Sequence, residues 1–258
     1  MSRIRGYLIN LDSGETRRRT ASACLGAEQI GFERVSAIDG RKLNLKNLTR
    51  YRADKAVRTF GRELAAGEVG CYFSHLECLQ RFLRSDARYC LVMEDDVTTR
   101  PGSGRLLENL LDLLDNEVLG DTAVVNLANP ARMVVSSLQR VGELDGAPID
   151  LRKAYYFPIS AAALLWSRKA VAKFVAEYSC AAMPYDAAVR TLCIAGNFGY
   201  DLSTAILRPA VSESEIDKCA PRVFARSFHR WQVIQRWRMA HLIKARVNKF
   251  RDRLASVA

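Results

Sequence analysis

An α/β fold is predicted, with a mixed, mainly parallel sheet and flanking helices. Three observations predict it. Short apolar runs recur along the chain, at Arg5–Leu11, Tyr89–Met93, Ala123–Leu127 and Ser160–Trp166. Between them lie segments whose apolar residues are spaced by three or four, such as Val69, Phe73, Leu76, Leu79 and Leu83. Turn dipeptides such as Asp39-Gly40 punctuate the two kinds of segment. Strands alternating with helices suit a sheet covered on both faces. The chain has 258 residues, 49% of them hydrophobic, enough for a substantial core.

Taken in order, Arg5–Leu11 (RGYLINL) is a strand that ends near Asn10 and Asp12, and the basic segment Thr16–Gly26 is a helix. Phe32–Ile38 is a second short strand, closed by the Asp39-Gly40 turn. Residues 41–66 are polar, basic and without clear period, a long excursion with some helix. From Gly67 a helix runs to Ser85-Asp86, and Tyr89–Met93 is the next strand. The loop Pro101-Gly102-Ser103-Gly104 leads into a helix at Leu106–Leu114, followed by a strand at Ala123–Leu127. Residues 129–154 read as loops with a hairpin. Ser160–Trp166 is a strand and Arg168–Tyr178 a helix. Pro184 suits the first turn of a helix over Tyr185–Ile194, and Ala205–Leu207 is the last strand.

The net charge of +11 is uneven. Residues 218–258 carry +10 of it, and the rest of the chain is nearly neutral. Two parts are therefore predicted, a nearly neutral body at 1–217 and a basic amphipathic helical tail at 218–258. In the tail, Phe224, Phe228, Trp231 and Ile234 follow helical spacing, as do Ile243, Val247, Phe250 and Leu254, with Arg and Lys between them. Such a helix suits an anionic membrane surface. Docking on the body and nucleic-acid binding are the alternatives, the latter the least favoured. No signal-peptide core and no run of about 20 apolar residues is present, so the expected location is cytoplasmic, peripheral on the inner face of the cell membrane. Seven cysteines without a C-x-x-C pair fit a reducing compartment. A structural zinc site is not expected, because no histidine is taken to pair with a cysteine at ligand spacing.

The chemistry points to YCLVMEDDV, where a buried strand runs into Glu94, Asp95 and Asp96. Ligand sites in open α/β sheets gather at such strand ends. Alternation predicts Glu94 and Asp96 on one side and Asp95 on the other. Like charges so close raise one another's pKa or recruit a cation, and a hard divalent ion with oxygen ligands is the natural one. Such an ion keeps open positions for phosphates, which makes a nucleoside diphosphate a sensible ligand. The plainer alternative is a solvated loop, or pairing with nearby arginines.

Several segments resemble glycosyltransferase family 25 in the family's own order. They are YLINLDSGETRRR, FERVSAIDGR, GEVGCYFSHLECLQ, LVMEDDV, AALLWSRKAVAKF, MPYDAAV and LRPAVSESE, together spanning roughly residues 5–215. The resemblance implies a GT-A type fold and a nucleotide-sugar donor, expected to be a UDP-hexose. It also implies inverting transfer, of galactose for preference, to a lipooligosaccharide or other glycan or lipid-linked acceptor. The family's acidic motif holds Mn2+ or Mg2+ against the donor diphosphate. Carried over, Glu94 and Asp96 are the metal ligands and Asp95 a donor-binding residue. A metal clamp neutralises charge on the departing diphosphate, and the attacking hydroxyl needs a base.

For that base, or for a group orienting the acceptor, the candidate is Asp186 in MPYDAAV; its plain alternative is a helix-start acid favoured by the dipole. His75, next to Ser74, lines the site by resemblance and is otherwise a structural histidine. Glu68 opens the same helix and is read as a cap. Asn10 and Asp12 face the nucleotide base or ribose, and Arg17 offers a forked donor to phosphate or is a solvated helical charge. Asp39 either closes a turn or touches ribose. Two departures, Ser13-Gly14-Glu15 and Trp166, leave donor and acceptor identity open. A nucleotidyl- or phosphotransferase is disfavoured, because Gly102-Ser103-Gly104 lacks the Lys-Ser/Thr of a phosphate loop. A non-catalytic glycan- or membrane-binding protein on a degenerate transferase fold is the remaining reading.

Overall fold

The computed structural model describes residues 3–116, 119–210 and 228–256. The first half of the chain gives β1 (Ile4–Asn10), α1 (Glu15–Ala27), β2 (Glu33–Ser36), α2 (Ala53–Phe60), α3 (Ala66–Leu83), β3 (Tyr89–Glu94), β4 (Val97–Thr99), α4 (Ser103–Asp115) and β5 (Val124–Asn126). The second half gives β6 (Val135–Leu144), β7 (Ala147–Ala154), β8 (Ala163–Ser167), α5 (Arg168–Glu177), α6 (Tyr185–Gly196), β9 (Gly199–Leu202), β10 (Leu207–Pro209) and α7 (Phe228–Ala255). Eight strands form one sheet in the order β2-β1-β3-β8-β5-β9-β7-β6, and β4 pairs with β10 in a small second ladder. β8 and β7 run antiparallel to their neighbours, so the other six strands of the large sheet point one way. The α/β class and the mixed sheet with flanking helices are as predicted.

The strand order reverses at β1. The connection from β1 through α1 goes outward to β2, and the connection through α3 returns past β1 to β3. Both are parallel crossovers, so right-handedness puts α1 and α3 on opposite faces of the sheet. A crevice at the carboxyl ends of the strands follows at this switch point. Register decides what enters it. Ile9 pairs with Glu94 and Asn10 with Ser36, so Asn10 is the residue level with the first of the two aspartates. The strands here are buried apolar runs; Leu8, Leu91, Val92 and Met93 have no exposed surface.

Local chemistry explains the departures from expectation. The excursion after β2 is two short 3-10 turns, capped by the side chains of Asp39 and Asn44, and then α2. Residues 135–154 form a hairpin because Asp145-Gly146 takes the left-handed region at both positions, with φ of 52° and 74°, as a tight hairpin turn requires. β4 is only three residues long, and β9 carries a charge in its middle. Asp201 in β9 is fully buried, yet the Arg152 guanidinium on β7 reaches both its oxygens, at 3.0 and 2.6 Å. An acid neutralised by the neighbouring strand can sit inside a sheet, and that partner is invisible to a hydropathy pattern. The last strand begins at Leu207 rather than ending there, because it pairs with β4.

The described part of the basic tail, α7, lies against the body. Ala245 and Asn248 are buried, Asn248 Nδ2 donates to the Ile194 carbonyl at 2.8 Å, and Asn197 Nδ2 donates to Asp252 at 2.9 Å. Phe60 meets Trp237 edge-on at 6.1 Å. Phe224 and the 217/218 boundary lie outside the described residues. Among the described residues no helix is long and apolar enough to cross a membrane.

Candidate active site

The wall of the crevice is made by pressing the segment after β2 onto the first turns of α3. A Cβ on Gly70 would lie 2.4 Å from the Ile38 carbonyl oxygen, and one on Gly40 would lie 2.1 Å from the Ala66 oxygen. Only glycine allows backbones to approach so closely. Ser74 locks the contact: its Oγ accepts from Ile38 N at 2.8 Å and donates to the Gly70 carbonyl at 2.7 Å. Glu68 caps the helix start by accepting from Ala65 N at 2.9 Å and is held by the Arg62 fork at 2.6 Å on each oxygen. The A-x-D-G and G-x-x-G-C-x-x-S-H segments are therefore two halves of one wall.

The resulting cleft holds about 130 Å3 and is lined by Asn10, Arg17, Ile38, Asp39, Gly67, Cys71, Ser74, His75 and all three acids. The positive partner of the acids is Arg17 from the first turn of α1. Its Nη2 stands 2.8 Å from Asp95 and 3.7 Å from Asp96. Asn10, 2% exposed, donates from Nδ2 to Asp95 at 2.6 Å. Glu94 faces the other wall, with Oε1 3.0 Å from His75 Nε2. Strict alternation fails here: Asp95 and Asp96 both lie within 4 Å of Arg17, whereas Glu94 pairs with His75. The strand ends at Glu94 and the chain turns before β4, so the two-residue period stops with it.

The three carboxylates are electrically distinct. Burial pushes Glu94 up, but the His75 hydrogen bond and charge, helped by Arg17, more than offset it and hold Glu94 below the ordinary range. Asp96 goes the other way. Burial, then the charge of Glu94, raise it to about 6 against the pull of Arg17. Its Oδ1 is buried and has no hydrogen-bond partner among the described residues.

The remaining predicted residues are placed unevenly. Asp39 lines the cleft, but both its oxygens are taken by Arg41. Asp12 points outward, is largely exposed, and pairs with Arg34 and Ser36. Asp186 is not among the cleft-lining residues. It opens α6, accepts from Ala187 N at 2.8 Å, and is raised by burial with Glu94 adding to the shift. Its neighbour Tyr185 stacks on the His75 ring at 4.2 Å, so α6 backs the His75 wall. Trp166 is wholly buried against Phe174 and lies outside the cleft, so its size is a matter of packing rather than donor choice.

The expectation that no histidine pairs with a cysteine at ligand spacing fails at Cys71 and His75. They are one helical turn apart on α3, and with Glu94 they bring three ligand atoms within 4.8 Å of one another. The i, i+4 spacing in GCYFSH was the signal.

A family model described as Glycosyltransferase family 25 (LPS biosynthesis protein) matches residues 3–132, half of the chain. Procollagen galactosyltransferase 1-B of Xenopus laevis is 32% identical over 114 residues, 42% of this chain and 18% of that protein. Procollagen galactosyltransferase 2 of Mus musculus is 28% identical over 117 residues, 44% of this chain and 19% of that protein. The inactive glycosyltransferase 25 family member 3 of Mus musculus is 30% identical over 110 residues, 41% of this chain and 19% of that protein. The matches to these curated relatives thus span less than a fifth of their length. A solved glycosyltransferase involved in the glycosylation of the major capsid of PBCV-1 matches over 92% of this chain and 99% of its own. At a TM-score of 0.36 and 10% identity, that likeness is too slight to bear on fold or function. The half matched by the family model contains the cleft wall, Arg17 and the acidic turn, and on that match the chain belongs to glycosyltransferase family 25.

Proposed function

We propose that the cleft binds a nucleotide sugar, a UDP-hexose in the simplest case, and that a GT-A type enzyme transfers the sugar with inversion to a lipooligosaccharide or related glycan acceptor. The observation that carries this reading is the acidic turn at the sheet's switch point, with Arg17 beside it and Asp96 Oδ1 left without a partner among the described residues. The residues fit a hard divalent ion such as Mn2+ or Mg2+: carboxylate oxygens at the strand end and an excess of negative charge that raises Asp96. Asp96 would hold the ion, with Asp95 beside it; Glu94 already commits Oε1 to His75. When bound, the ion supplies charge neutralisation on the leaving diphosphate. Arg17 and the N–H groups at the start of α3, where Gly67 lines the cleft, add to that on the protein's side.

The acceptor hydroxyl must lose a proton as it attacks the sugar. Asp186 is the proposed base, because burial raises its carboxyl above the ordinary value and so makes it a stronger base. It stands behind the His75 wall, so the acceptor has to approach from the α6 side for Asp186 to reach it. Asn10 orients the donor through Asp95, while Asp12 and Asp39 serve at the rim or in the turn.

The test is a panel of nucleotide sugars with the full chain and Mn2+, reading release of nucleoside diphosphate. Turnover with one donor, lost in Asp96→Ala, is expected. No turnover with any donor, together with unchanged donor binding in Asp96→Ala, would sink the reading. The likeness to an inactive family member favours a second reading, a transferase fold that binds donor or glycan without turnover. Calorimetric donor binding in the absence of product separates the two.

The acceptor class suggests a location. The outward side of α7 carries Met239, Ile243, Val247, Phe250 and Leu254, 44–64% exposed. Arg246 and Arg253 flank this stripe on one side, Lys244 and Arg251 on the other. Apolar residues framed by cations suit the anionic inner face of a membrane, each cation adding about 1 kcal/mol.

A further inference from the structure

The sugar-transfer reading uses Asp96, Asp95 and Arg17. It leaves Cys71 unused on the opposite wall. Cys71 Sγ lies 3.9 Å from Glu94 Oε1, and His75 Nε2 lies 3.0 Å from the same oxygen. A four-coordinate ion with sulfur at about 2.3 Å and nitrogen and oxygen at about 2.0–2.2 Å spaces its ligand atoms by between 3 and 4 Å. Both distances to Glu94 already fall in that range, and all three atoms lie within 4.8 Å of one another without an ion. Two come from one face of α3 and the third from the end of β3, so the set is held by rigid elements rather than by a loop. All three residues line the cleft, which leaves the fourth position open.

We infer that Cys71, His75 and Glu94 form a second metal site, for a borderline-soft divalent ion of the Zn2+ or Co2+ class. Thiolate and imidazole select such ions, whereas the all-oxygen turn at Asp96 selects hard ones. The two sites differ in ligand chemistry, and this one does not depend on whether the chain transfers sugar. On binding, the S–H bond of Cys71 breaks, its proton passes to water, and sulfur keeps the electron pair it gives to the metal. Nothing is oxidised or reduced. The ion takes His75 Nε2 and Glu94 Oε1 away from each other and bridges them instead.

The experiment uses the full chain, stripped of metal and kept anaerobic, with Co2+ as the probe and no nucleotide sugar present. A thiolate-to-cobalt charge-transfer band in the near ultraviolet should grow to saturation at a single equivalent and vanish on adding Zn2+. Cys71→Ser should abolish the band and weaken Zn2+ binding by more than the roughly 10- to 100-fold that an outer-sphere change costs. His75→Gln is the second variant, expected to weaken binding without removing sulfur. Cys24→Ser and Cys180→Ser, at the other half-buried cysteines among the described residues, should keep the band. Asp96→Asn should keep it too, although that variant loses turnover on the sugar-transfer reading. A wild-type chain with no band, or a band that survives Cys71→Ser, overturns the site. So does loss of the band in Asp96→Asn, which would make Asp96 a ligand of the same ion.

Discussion

Arg17 and Asp95 meet at 2.8 Å across the mouth of the cleft, one from the first turn of α1 and the other from the turn after β3. The guanidinium is also 3.7 Å from Asp96, and its Nε is buried without a partner among the described residues. One cation thus holds two of three clustered acids in the protein without ligand. Removing it leaves them to repel one another. Arg17→Ala should destabilise the chain by about 1–3 kcal/mol at pH 7 and weaken binding of nucleoside diphosphate. Urea unfolding gives the first quantity and calorimetry the second. A variant as stable as wild type would mean that the pair is a screened surface contact.

Asp96 gives the molecule a pH dependence of known sign. Its carboxyl is raised from the ordinary value to about 6 in the folded chain. The native state therefore holds this proton more tightly than the unfolded state, and the contribution to stability falls as pH rises between about 4 and 6. Above that window the metal-free protein carries a penalty on the order of 3 kcal/mol. Asp96→Asn should be more stable than wild type at pH 7 and gain nothing at pH 4. Mn2+ should raise the melting temperature of wild type and leave the variant unmoved. Thermal unfolding at both pH values checks this, and a variant less stable than wild type at pH 7 counts against it.

Much of this site was legible in the chain itself, and the reason is local. Residues 89–94 are an apolar run that ends in charge, so both the strand and the place where it stops could be read. The glycines at 40 and 70 stand in short segments whose spacing reveals a turn and a helix start. What could not be read is which residues meet. Arg17 precedes Asp95 by many residues, and only the register of β1 on β3 brings them together. Asp12 and Asn10 are two residues apart and looked equivalent, yet the chain leaves the sheet after Asn10 and turns Asp12 outward to Arg34. β9 escaped notice because its buried acid is neutralised from another strand.

The glycine wall makes a prediction with its own control. Gly70→Ala would place a methyl 2.4 Å from the Ile38 oxygen and 2.9 Å from Gly40 N, both backbone atoms that cannot rotate aside. Overpacking of this kind costs about 1–3 kcal/mol, and relief by separating the wall from α3 should also weaken donor binding. Gly26→Ala, in the last turn of α1, meets nothing within 4 Å and should be neutral or stabilising by up to about 1 kcal/mol. Urea midpoints of the two variants should move in opposite directions or differ clearly; equal midpoints would mean the wall is loose.

α7 has two faces whose loss should show in different measurements. On the inner face Asn248 is buried and satisfies the Ile194 carbonyl, so Asn248→Ala should cost about 1–3 kcal/mol and lower the melting temperature. On the outer face Ile243 and Phe250 are 55% and 64% exposed. Replacing both by serine should lower the melting temperature less than Asn248→Ala does, because both residues are more than half exposed. If the outer face meets anionic lipid, the same double variant should no longer pellet with vesicles containing phosphatidylserine, while wild type pellets with these and not with vesicles of phosphatidylcholine alone. The difference should shrink as salt rises, since the flanking cations are screened. Equal pelleting of wild type and the double variant would leave α7 as a helix that only buttresses α2 and α6, with its apolar stripe facing water.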